Sequence, residues 1–189
     1  MTDGNILINR APVLTLWATT VAERLGFDHD EALSLGKAVA GLTAQSKGQR
    51  LGIYKPVPQE VKKARARKRG EDFLIEICGR SVPAVNTADG VRAVTKNKPI
   101  EAKSVERYLE SKFGESLGTA RAAMRDLVKA FRPEQLSKNA FSLYEGFRPA
   151  IPEGVTGWGA KGRLDIDRIR WLASEKGPAE HPSCGSVSG

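Results

Sequence analysis

The residues nearest to a chemical motif are Gly157-Trp158-Gly159-Ala160-Lys161-Gly162, a literal G-x-G-x-x-G. Dinucleotide binding needs this pattern directly after a strand and opening a helix, with an acid about twenty residues further on. Here Pro149 and Pro152 precede it and fewer than thirty residues follow, so the pattern reads first as a turn. Its glycines allow unusual backbone angles there while Trp158 plugs into the core. A second reading makes the loop an anion site. Backbone N–H groups beside Lys161 and Arg163 would hold a phosphate oxygen, and the Trp158 indole would stack on an exposed base.

Two further groups invite a metal. Asp28, His29, Asp30 and Glu31 are potential ligands, but acids in a first helical turn are favoured by the helix dipole, and Asp28 with Glu31 reads as a capping pair. Asp165 and Asp167 have the same explanation. His181 and Cys184 make half of a zinc site whose other half is missing. Neither His sits where it would orient a Ser or Cys nucleophile. The expectation is no cofactor, no metal and no catalytic residue.

The dominant chemical feature is electrostatic. Between Lys47 and Gly70 lie nine Lys or Arg and one acid, Glu60, so this stretch carries the whole chain's net charge of +8. Everything else sums to zero. A field this concentrated is the footprint of a polyanion-binding protein, with nucleic acid the commonest partner. Lys62, Lys63, Arg65, Arg67, Lys68 and Arg69 would neutralise phosphates, with Lys47, Arg50 and Lys55 extending the track. Such contacts position a protein without reading bases.

The elements that would carry these residues follow from periodicity. Val13, Leu14, Trp17, Val21 and Leu25 predict a helix over about 12–25 with one buried face, Pro12 in its first turn and Gly26 just past its end. A second helix opens at Asp28, with Leu35, Ala38, Val39 and Leu42 inward, and ends in the polar run Thr43 to Arg50. Ala32, Gly36 and Ala40 form a stripe of small residues on it, read as packing against the first helix or, alternatively, against a second copy of the chain or a phosphate backbone. Pro56 and Pro58 interrupt helix, and 59–69 is too charged to fold alone. Phe73 to Cys78, Ser81 to Val85 and Gly90 to Thr95 read as a small antiparallel meander. Asp89-Gly90 marks a turn, and Pro83 confines its strand to an edge. Three amphipathic helices follow, around Val105 to Phe113, Leu117 to Phe131 and Pro133 to Phe147. A Pro- and Gly-rich loop over 149–162 leads to a last short helix at Asp165 to Ala173.

The fold expected is therefore α+β, mainly α. A helical hairpin at 1–55 and a basic arm at 56–70 precede a meander covered by three or four helices at 71–174, and 175–189 is a tail. Few contacts are expected across the arm. No segment is apolar enough to span a membrane and no signal sequence is evident, which places the protein in the cytoplasm. The function expected is non-enzymatic nucleic-acid binding of a DNA-binding or nucleoid-associated type, with DNA favoured over RNA. The alternative is an interaction or adaptor module whose hairpin pairs with another chain through Ala32, Gly36 and Ala40 while the basic arm recruits an acidic partner. The hairpin is also where the chain would form an oligomer. An enzyme using Trp158, Lys161 and Asp165 comes third.

Overall fold

The computed structural model describes residues 4–50, 73–155 and 160–176, of which 47–50 and 176 are described by backbone alone. In chain order the elements are β1 (Asn5–Asn9), α1 (Arg10–Arg24), α2 (His29–Arg50), β2 (Phe73–Ile77), β3 (Arg80–Thr87), β4 (Gly90–Thr95) and β5 (Lys98–Pro99). They continue with α3 (Ala102–Phe113), a 3-10 turn (Gly114–Ser116), α4 (Leu117–Lys129), α5 (Pro133–Phe147), β6 (Lys161–Asp165) and α6 (Ile166–Lys176). The class is α+β and mainly helical, as the periodicities require. No helix of the described residues is long and apolar enough to cross a membrane.

Helix α1 is the axis of the core. Every residue from Pro12 to Ala22 is buried, so the expected single buried face is replaced by burial all round. Three threonines would make this costly if their hydroxyls went unpaired. Instead Thr15, Thr19 and Thr20 donate to the carbonyls of Ala11, Thr15 and Leu16, one turn back. Trp17 is fully buried, donates its indole N–H to the Ala140 carbonyl at 2.8 Å and meets the Phe147 ring edge-on at 5.2 Å. Helices α2, α3, α4 and α5 all pack on α1. The expectation of few contacts between the hairpin and the later unit is thereby overturned: one apolar cluster runs from Ile8 to Leu172.

The hairpin itself forms as its residues dictate. Asp28 and Glu31 make the reciprocal capping bonds, Glu31 N–H to Asp28 Oδ1 at 2.8 Å and Asp28 N–H to Glu31 Oε1 at 3.1 Å. Gly26 takes φ 112 past the end of α1. The small-residue stripe is used within the chain. A Cβ on Gly36 would collide with the Thr19 hydroxyl and lie 2.6 Å from the Thr15 carbonyl oxygen, and Ala32 and Ala40 are buried. That is the expected packing within the chain, and it covers Gly36 against the alternative of a second copy. Helix α2 also runs on through the polar run to Arg50, because Ala, Gln, Lys and Arg there are good helix formers.

The meander has the order β2-β3-β4-β5, all antiparallel. Pro83 lies on the inner strand β3, not on an edge. It is tolerated because the β3–β4 ladder stops at Ala84–Ala93, one residue short of it, and opposite Leu74 it takes a position with no hydrogen bond to β2. On the far side of β4, α2 supplies side chains where no strand is available. Val91 N–H donates to Glu31 Oε2 and Ala93 N–H to Ser34 Oγ, both at 2.8 Å. The hairpin is thus fastened to the sheet.

Helices α3 to α6 bury the expected faces, Val105, Leu109 and Phe113, then Leu127 and Val128, Leu136 and Ala140, and Ile166 and Ile169. Arg24 reaches from α1 to the carbonyls of Val128 and Phe131, where α4 ends. The start of the chain and the end of the 149–162 loop hold an unforeseen sheet. β1 pairs antiparallel with β6, Asn5 opposite Asp165 and Asn9 opposite Lys161, across more than a hundred and fifty residues. The sequence predicts a strand in neither the short lead nor the loop.

Candidate nucleic-acid interface

Most of the basic stretch lies outside the described residues: Lys55, Lys62, Lys63, Arg65, Arg67, Lys68 and Arg69 all do, as does Trp158. Lys47 and Arg50 fall on the last turns of α2, so the basic stretch begins on a helix anchored at its other end by the capping box and the sheet. Basic residues there also suit the negative end of the helix dipole.

Lys161 and Arg163 are exposed residues of β6, and strand alternation brings them onto one face. Gly162 between them faces inward, where a Cβ would lie 2.7 Å from the Ala150 carbonyl oxygen. That close approach is what the last glycine of the motif serves. The motif therefore ends inside a strand instead of opening a helix, and the dinucleotide reading has no geometry behind it. The phosphate-loop reading also changes, since the Arg163 N–H already donates to the Ala150 carbonyl at 3.0 Å. An anion at Arg163 must be met by its side chain. Asp165, the acid of the enzyme reading, accepts the Arg168 N–H at 3.2 Å and so caps α6.

Many other cations of the folded part have partners within it. Arg121 forks onto Glu106 at 3.0 and 2.9 Å, and Arg125 lies 3.4 Å from Glu23. His29 stands between Glu23 and Glu106, at 3.4 and 3.7 Å, which explains its place beside the cap. Arg170 pairs with Asp167 at 2.9 Å, Arg10 bonds the Pro149 carbonyl and Arg168 lies over the Trp171 ring. Lys37 sits 3.6 Å from the centre of the Tyr108 ring, and burial followed by the nearby Lys112 holds its pKa below the ordinary lysine value. Cys78 is buried at the β2–β3 turn with its thiol pushed up to about 12 by desolvation, which keeps it protonated at neutral pH. Among the described residues, neither Lys161 nor Arg163 makes an ion pair.

Sequence reasoning missed the β1 side of this surface, where Asn5 and Leu7 are exposed and Leu7 lies opposite Arg163. The alternation in Asn-Ile-Leu-Ile-Asn and Lys-Gly-Arg-Leu-Asp was the available signal. At five residues each it was weak, and nothing local says that the two pair. No family model, curated protein or solved structure matches the chain.

Proposed function

We propose that this protein binds nucleic acid in the cytoplasm, duplex DNA in preference to RNA, as a nucleoid-associated type of factor with no chemical step of its own. The observation that carries the reading is charge placement: the net +8 of the chain resides in the stretch from Lys47 to Gly70. It is supported by the rest of the fold, where arginines such as Arg121, Arg125 and Arg170 are matched by acids. A neutral body with one cationic segment draws a polyanion to that segment first. The contacting residues are Lys62, Lys63, Arg65, Arg67, Lys68 and Arg69, with Lys47, Arg50 and Lys55 beside them. They contact phosphates, so affinity is steep in salt and nearly independent of base sequence for this part of the surface.

The adaptor reading loses its best support, because Gly36 packs against α1 and Ala32 and Ala40 are buried. Retardation of duplex DNA, single strands and RNA by the full-length protein at two salt concentrations tests the proposal. Duplex should be retarded first and released by salt. Equal indifference to all three polyanions at low salt would end the nucleic-acid reading.

A further inference from the structure

The β1–β6 ribbon turns Asn5 and Leu7 outward from one strand, and Lys161, Arg163 and, opposite Asn5, Asp165 from the other. Leu7 is 68% exposed, an unusual position for a leucine in a strand only five residues long. Its neighbour explains the arrangement. Arg163 exchanges both backbone bonds with Ala150, each at 3.0 Å, so its N–H and C=O point away from β1. The Leu7–Arg163 pair is then of the non-hydrogen-bonded kind, in which Cα atoms approach to about 4.5 Å and side chains stand close. The backbone of Arg163 is held from Ala150 on one side and by the ladder to β1 on the other. A guanidinium is thus presented from a rigid support, with apolar surface beside its stem and no acid paired to it among the described residues.

We infer that this ribbon is a base-reading element that enters the major groove of duplex DNA, with Arg163 making the principal contact. The inference rests on the nucleic-acid reading above and adds sequence preference to it. Size agrees: strands of five residues span about 16 Å, and a groove about 12 Å wide admits a two-stranded ribbon. Chemistry agrees as well. An arginine fork matches O6 and N7 of guanine, an amide such as that of Asn5 matches adenine, and an apolar side chain such as Leu7 suits the thymine methyl. Lys161 at the ribbon's end would take a phosphate. The positive charge of Lys161 and Arg163 is complementary to DNA, and the nearby acid Asp165 is engaged as the cap of α6.

The test begins with selection of bound duplexes from a random pool by the full-length protein. Affinity for the selected site is then compared with that for a scrambled site at fixed salt. The parent should prefer the selected site by about tenfold or more, the share expected of a bidentate base contact. Arg163→Gln should lose most of that preference. Arg163→Lys, which keeps the charge but not the fork, should lose it too while leaving the salt dependence unchanged, a pattern that misfolding or simple loss of charge would not produce. Salt-steep binding by the parent with no selected sequence would overturn the ribbon proposal and leave the basic stretch standing. So would a preference that survives both Arg163 substitutions, or one confined to single strands or an acidic protein. Absence of any nucleic-acid binding would remove both readings.

Discussion

Gly36 sets how closely the first two helices approach, and it separates packing from propensity. An alanine there improves helix propensity, but its Cβ would lie 2.6 Å from the Thr15 carbonyl oxygen and 2.8 Å from the Thr19 nitrogen. Gly41, five residues on in the same helix, is exposed with nothing within 4 Å of an added Cβ. Gly36→Ala should therefore cost about 1–3 kcal/mol by overpacking, whereas Gly41→Ala should gain about 0.5–1 kcal/mol. Denaturant midpoints of the two variants decide it, and equal shifts in one direction would show that Gly36 is not a contact point. Tyr144 gives a pH-dependent counterpart. Its ring is 3% exposed, and desolvation pushes the phenol from 10.0 up to about 12 despite the opposing pull of Arg10 and Arg148. The folded state then holds its proton more tightly than the unfolded state, so the stabilisation is complete below pH 10 and is lost as pH rises toward 12. Stability of the parent should fall across that window, and Tyr144→Phe should flatten the fall. An unchanged slope in the variant would mean that another group governs it. At this scale the sequence was most readable where a residue acts locally: the Asp28–Glu31 cap, the Asp89-Gly90 turn and Pro133 at the start of α5 depend on neighbours within a few positions. Thr15, Thr19 and Thr20 add to the burial of α1, because hydroxyls that bond the preceding turn are satisfied inside the core.

Among the elements, α1 decides whether the molecule is one body or two. Its burial from Pro12 to Ala22 comes from α2 on one side and from α3, α4 and α5 on the others, with Trp17 bonded to Ala140. Neither flank can therefore bury its own apolar surface without α1. Residues 1–55 and 71–189 expressed as separate chains should be insoluble or unfolded alone and should co-purify as a folded complex when expressed together. A cooperative thermal transition from 71–189 alone would contradict the shared core. Periodicity located α3 to α6 well because each is amphipathic, with one stripe inward. It placed α1 but not its burial all round, since no charged stripe between Pro12 and Ala22 marks an outer face, and it failed for β1 and β6, whose pairing joins residues from opposite ends of the chain. The candidate site shared that fate. Lys161 and Arg163 were legible as cations, but their common outward face depends on a ladder that no local pattern announces.

For the whole molecule, the central proposal is a division of labour between a charge-balanced body and one cationic stretch that binds duplex DNA. The body's arginines cap helices and pair with acids, as Arg24 does with the end of α4 and Arg121 with Glu106. The stretch from Lys47 to Gly70 carries the net charge of +8. If about six of its cations meet phosphates, counterion release gives a log–log salt slope of about −5, since each contributes about −0.9. Replacing Lys62, Lys63, Arg65, Arg67, Lys68 and Arg69 together by Gln removes the charge, and none of the core residues named above is changed in sequence. The decisive measurement is duplex DNA affinity as a function of salt for the parent and this six-site variant. The account predicts a slope of about −5 for the parent, with affinity collapsing and the slope flattening in the variant on every DNA sequence tried. A variant that binds as tightly as the parent with the same slope would contradict it.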